Sequence, residues 1–144
     1  TDIEGTTSSI TFVHEVLFPY SRARLADYVA AYAGEAEVAA ILGAVRAEAG
    51  TPALDVAGCA ALLAEWHDAD RKIGPLKALQ GLSWAEGYAA GALEGHVYAD
   101  AVAGLRRWHA AGLALYVYSS GSVAAQKLIF GHTVYGDLTG LFSG

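Results

Sequence analysis

Apolar residues recur at helical spacing through the first two thirds of the chain. From Val13 to Ala33, the positions Leu17, Leu25, Tyr28, Val29 and Tyr32 fall along a helix, and Gly34 offers a stop. Ala36 to Ala49 predicts a second helix, closed by Gly50. Pro52 then breaks the pattern, and Asp55 is placed to cap a third helix with the stripe Val56, Cys59, Leu62, Leu63 and Trp66. Ser83 and Glu86 stand in capping-box spacing, which predicts a fourth helix starting there. Nothing between Val13 and Gly95 reads as a strand, so this stretch is an all-helical block.

The pattern changes after His96. Asp100 can cap a helix carrying Val102, Leu105 and Trp108, ended by Gly112. "LALYVY", residues 113–118, is short, almost continuously apolar, and partly aromatic and β-branched, which predicts a strand buried in a parallel sheet. The turn "SSGS" follows, then a helix from Ser122 to Phe130. Helix, buried strand, small-residue turn and helix make an α/β unit, and ligands of open α/β sheets bind beyond the carboxyl ends of strands.

Composition narrows the class. A chain of 144 residues fits one domain, or a small core with an insertion, and an apolar share of 54% suffices for a core. The net charge of −6 argues against a broad nucleic-acid or anionic-membrane surface. No apolar run approaches the roughly 20 residues of a membrane span, no signal peptide leads the chain, and Cys59 has no second cysteine to pair with. These features predict a cytoplasmic protein that binds neither nucleic acid nor membrane.

Two short polar turns carry the candidate chemistry. In "DIEGTT", Asp2 could act as a nucleophile and a magnesium ligand, and Glu4 could reach the same pocket as an acid and base. Gly5 lets the backbone come close to a ligand, and the hydroxyls of Thr6 and Thr7 can contact phosphate. A solvated surface turn accounts for the same residues. In "SSGS", Ser119, Ser120 and Gly121 can present hydroxyls and amides to a phosphate at a helix start, while Ser122 can simply cap that helix.

Taken together and in this order, the turns resemble the first two motifs of the haloacid dehalogenase superfamily, whose usual first motif is Asp-x-Asp-Gly-Thr. Glutamate at position 4 departs from that pattern. With "DIEGTTSSITFVHEVLFPY", "LKALQG", "LRRW", "YVYSSGSVAAQKLIFGH" and "GDLT", it resembles the enolase-phosphatase (acireductone synthase) family of methionine salvage. The resemblance runs along essentially the whole chain and is loosest between Ala36 and Lys72.

What the resemblance implies is specific. The fold would be α/β: an incomplete Rossmann-like core over 1–12 and 97–144, with an inserted all-helical cap over 13–96. The enzyme would enolise and then dephosphorylate 2,3-diketo-5-methylthiopentyl-1-phosphate, with Mg2+ as cofactor and a small phosphorylated diketone as its partner. Asp2 would be the nucleophile and Glu4 the acid and base, and both would contact the metal. Ser119, Ser120, Gly121 and Thr6 would bind phosphate or substrate, and Lys77 and Gln80 of the cap would set specificity. Family members are expected to act as monomers. The family also has a strand leading into the nucleophile and, later, a phosphate-binding lysine and a metal-binding aspartate. By that comparison these residues read as an interior segment with little activity of its own, and neither Lys127 nor Asp137 is assigned to the late motifs.

Other readings are weaker. "SSGSV" lacks the G-x-S-x-G elbow of serine hydrolases, and the five histidines contain no H-x-x-x-H pair for zinc. Another capped phosphatase of the same superfamily, or a non-catalytic remnant, are the two alternatives kept.

Overall fold

The computed structural model describes residues 1–144, which divide into two compact units. One is Phe18–Ser83; the other joins Thr1–Leu17 to Trp84–Gly144. In chain order the elements are α1 (Ile10–Phe12), a π-helical turn (Val13–Leu17), α2 (Phe18–Tyr32), α3 (Ala36–Ala49), α4 (Val56–Asp68), α5 (Gly74–Ala89), α6 (Ala99–Ala110), α7 (Val123–Gly131) and a 3₁₀ turn (Thr139–Leu141).

The 18–83 unit is helical, as its periodicity predicts. Leu25 and Val29 of α2, Val38, Leu42 and Val45 of α3, Cys59, Leu63 and Trp66 of α4, and Leu76 and Leu79 of α5 form one buried cluster. Each set repeats at three or four residues, so each helix turns one stripe inward. The expected punctuation is present: Asp55 accepts the Gly58 amide at 2.7 Å as N-cap of α4, and Gly50 ends α3 in the left-handed conformation at φ 64°. Arg22 holds Asp68 through two nitrogens at 2.7 and 2.8 Å, tying α2 to α4 at the surface and keeping the Asp68 carboxyl below its ordinary range.

In the first 89 residues, two helix boundaries differ from expectation. The chain does not start a helix at Ser83: α5 begins at Gly74, and the Ser83 hydroxyl donates back to the Gln80 carbonyl at 3.1 Å. Pro75 fits the first turn of α5, where an N–H has no intrahelical acceptor, and a mid-helix serine commonly bonds back in this way. The first helix is interrupted by the π turn at Val13–Leu17. Pro19 has no N–H to donate to the Glu15 carbonyl, which favours a wider local register. The Trp84 indole N–H donates to the Leu17 carbonyl at 2.8 Å.

The larger correction concerns the strand. Residues 113–118 are extended but form no strand, and every regular element is helical, so the α/β core is not formed as a sheet. A strand needs successive pairings. Here only Thr1 pairs on one flank, donating to the Tyr116 carbonyl at 2.6 Å and accepting from the Tyr118 amide at 2.7 Å. On the other, Ser143 donates to Leu115 and Val117 donates to Gly144. Both pairings run in the parallel sense. Exposure alternates along the segment: Leu115 and Val117 are half-buried, whereas Tyr116 and Tyr118 are 60% and 86% exposed. Burial therefore covers one face only, and the near-continuous apolar run that suggests two covered faces is not matched.

In the second unit, Leu105, Val102, Ile129, Phe130, Leu93 and Val97 are buried, and the rings of Phe130 and Phe142 lie 4.6 Å apart. α6 begins at Ala99 rather than being capped by Asp100, whose carboxylate accepts the Ala101 amide at 2.9 Å. Ser122 does cap α7, accepting the Ala125 amide at 3.2 Å. Tyr88 is 4% exposed and its hydroxyl has no hydrogen-bond partner. Burial pushes its ionisation well above the ordinary phenol value. A raised value means the stability it carries is fully present below about pH 10, where the unfolded phenol ionises, and is lost as pH climbs further. Tyr88→Phe is expected to raise stability by about 1 kcal/mol at neutral pH, because an unpaired buried hydroxyl is removed. It should also flatten the alkaline loss, read as melting temperature against pH. No single helix is long and apolar enough to cross a membrane.

Candidate functional site

The first turn is built on one carbonyl. Ile3 oxygen accepts the amides of Thr6, Thr7 and Ser8 at 3.2, 3.0 and 2.9 Å, and the Gly5 amide donates to the Ser8 carbonyl at 2.7 Å. Gly5 adopts φ 73°, a left-handed conformation in which a side chain is strained, so glycine suits this position. Ile3, Thr7 and Ser8 are buried and anchor the loop, while Asp2, Glu4 and Thr6 face outward. The Thr7 hydroxyl donates to the Asp2 carbonyl at 3.1 Å, which spends it inside the turn rather than on a ligand. The Asp2 carboxylate accepts the Ile3 amide through Oδ1 at 2.8 Å.

The second turn is held by its own side chains. Ser119 Oγ accepts the Gly121 amide at 3.1 Å, and Gln126 of α7 donates through Nε2 to the Gly121 carbonyl at 2.8 Å. Ser119 is half-buried, and Ser120 and Gly121 are exposed. The Ser119 hydroxyl proton remains available for donation.

The two turns leave from one place. The bonds of Thr1 to Tyr116 and Tyr118 set Thr1 beside Val117 with both chains running the same way. Paired chains lie about 4.8 Å apart, so Asp2 and the 119–121 turn emerge from adjacent ends. Lys77 and Gln80 lie in the other unit, on α5: Lys77 is exposed, and Gln80 is buried.

The donor set suits magnesium in a limited way. No group of three or more histidine, cysteine, aspartate or glutamate side chains is arranged to hold an ion. Two exposed carboxylates in one short turn are nevertheless the hard oxygen donors that Mg2+ takes, since it binds proteins through one or two carboxylates and fills its shell with phosphate oxygens and waters. Asp2 and Glu4 fit a metal that arrives with a phosphate, not a preformed cage.

Other polar groups have local duties. His132 Nδ1 lies 3.1 Å from the Leu128 carbonyl, at the end of α7. Asp137 accepts both the hydroxyl and the amide of Thr139, at 2.6 and 2.8 Å, and these bonds hold its carboxyl below the ordinary range. The sequence reading missed His96, which bonds the residues following the first turn. That contact spans 87 and 88 positions, and no periodicity or local motif signals it.

No family model matches the chain. The chain is 61% identical over all 144 residues to the enolase-phosphatase E1 of Pseudomonas aeruginosa strain LESB58, of which it covers 64%. It is 59% identical over the same span to the enolase-phosphatase E1 of Methylococcus capsulatus, covering 63%. Among solved structures, the UTR4 protein of Saccharomyces cerevisiae superposes with a TM-score of 0.76 at 35% identity, over 95% of this chain and 58% of that one. The chain thus spans about six-tenths of the length of the relatives it matches.

Proposed function

From a chain homologous over its whole length to the enolase-phosphatases E1, we propose that the protein enolises and dephosphorylates a 2,3-diketo-5-methylthiopentyl-1-phosphate in methionine salvage. Supporting this reading is one observation: the Asp2 turn and the 119–121 turn leave the Thr1–Val117 pairing side by side. In this reading residues 1–12 and 97–144 belong to an incomplete Rossmann-like haloacid dehalogenase core and residues 13–96 are its inserted helical cap, with Lys77 and Gln80 as specificity residues. The protein acts as a cytoplasmic monomer.

The chemistry follows from the residues. Once a C1 proton of the diketone has been moved to the C2 oxygen to give the enol, a carboxylate oxygen of Asp2 attacks phosphorus, the bond from phosphorus to the C1 oxygen breaks, and Glu4 as acid protonates that departing enol oxygen, leaving an aspartyl-phosphate. Glu4, now a carboxylate, takes a proton from water, which attacks the phosphorus and releases phosphate and free Asp2. Ser119, Ser120, Gly121 and Thr6 hold the phosphate oxygens through hydroxyls and amides. Asp2 and Glu4 would hold Mg2+, which would supply the charge neutralisation that lets one anion approach another. The extra methylene of glutamate over aspartate moves the acid outward, toward a substrate that must also be enolised.

The test separates the two steps in the protein at the full length of its relatives. Glu4→Asp is expected to slow enolisation about 100-fold, the usual scale of a misplaced acid-base group, as followed by the diketone and enol absorbances. Unchanged enolisation and unchanged phosphate release would remove Glu4 from this role. Turnover of sugar phosphates in preference to the diketone phosphate would favour a different capped phosphatase.

A further inference from the structure

The first turn is bracketed from a distant part of the chain. Gly95 donates to the His132 carbonyl at 2.7 Å and pairs with Thr133, and Tyr98 donates to the Thr7 carbonyl at 2.9 Å. Between these anchors sits His96. Its Nδ1 lies 3.1 Å from the Ser9 amide nitrogen and 3.3 Å from Ser8 Oγ. An amide has only a hydrogen to give, so Nδ1 accepts it, and a neutral imidazole that accepts at Nδ1 carries its proton on Nε2. The ring is further constrained, 6.0 Å from Phe12 and edge-on to Tyr98 at 5.0 Å.

Both residues it touches belong to the frame of the acidic turn. Ser8 pairs with Glu4, and its carbonyl takes the Gly5 amide. Ser9 caps α1 through its hydroxyl. We infer that His96, locked as the Nε2–H tautomer against the Ser9 amide and the Ser8 hydroxyl, is a positioning residue that fixes the direction in which the Glu4 turn presents its carboxylate. The bond supplies an acceptor to Ser9, whose amide opens helix α1 and has no intrahelical acceptor there. Losing it frees residues 5–8 to rotate about the Ile3 hub. The role in catalysis rests on the enzymatic reading above; the tautomer and the bracing do not.

Three variants separate the possibilities. Asparagine can place its side-chain oxygen where Nδ1 stands and accept the same amide; glutamine reaches the Nε2 position instead, and alanine reaches neither. Nitrogen NMR of the native 144-residue chain should show a bare Nδ1 and a protonated Nε2. Amide exchange at Thr6, Thr7 and Ser8 should quicken about tenfold in His96→Ala and His96→Gln, the scale of one lost hydrogen bond, and stay near native in His96→Asn. In the full-length enzyme, His96→Ala should lower kcat about tenfold with KM little changed, and His96→Asn should recover it. A protonated Nδ1, or equal exchange in all three variants, overturns the inference. Should native enzyme show no phosphatase activity, the enzymatic reading fails while tautomer and exchange still decide the bracing. Should His96→Ala keep full kcat in an active enzyme, His96 has no positioning role in catalysis.

Discussion

Gly95→Ala is expected to cost about 3 kcal/mol or more, enough to unfold the 1–17 and 84–144 unit of a marginally stable chain. A methyl group at Gly95 would sit 1.9 Å from the Ile129 carbonyl oxygen, and real contacts of that kind do not occur at such distances. The obstacle is backbone, so no side chain can swing aside. Relief would require α7 to shift away from Gly95, which would break the Gly95–His132 bond and displace the buried Ile129. The loss should be local. Near-ultraviolet dichroism and amide exchange should report melting of this unit, with protection retained at Leu63 and Trp66. An unchanged melting curve would mean that the close approach at Gly95 is not required.

On the proposed chemistry, Asp2→Asn should lower phosphate release at the full length of the relatives by at least about 1,000-fold. The substitution keeps the shape and leaves an oxygen that can accept the Ile3 amide, so the turn should persist, yet an amide is too weak a nucleophile to form the phosphoryl intermediate. Folding is therefore expected to stay within about 0.5 kcal/mol of native, the scale of a surface change. Steady-state phosphate release and a thermal melt of the same preparation check both halves. Residual turnover within tenfold of native would exclude Asp2 as the attacking group.

How much of this is legible in the amino-acid order depends on the range of the interaction. The helices are written in local repeats, and Asp55, Gly50 and Ser122 mark helix boundaries through bonds to neighbours within five residues. Ser83 shows how a local signal misleads: its spacing to Glu86 matches a capping box, but the nine residues before it already form a helix from Gly74 onward, and the hydroxyl bonds backwards. The apolar run at 113–118 predicts a buried strand because composition reports a tendency, whereas a strand exists only through its neighbours. Here those neighbours are Thr1 and Ser143–Gly144, too few for a ladder. The site divides in the same way. Asp2, Glu4, Ser119 and Ser120 stand in compact motifs and are visible as candidates, whereas the adjacency of the two turns depends on bonds across 115 positions. His96 carries no local mark at all, since its bonds to Ser8 and Ser9 are tertiary.

Rapid acid quenching of a single turnover, followed by peptide mass analysis of the full-length enzyme, tests the central claim most directly. A phosphoryl group trapped on the Asp2 side chain, formed only with magnesium present and missing from Asp2→Asn, is the predicted result. Complete turnover with no phosphoryl group on Asp2 at any quench time, or a phosphoryl group on another residue, would contradict it.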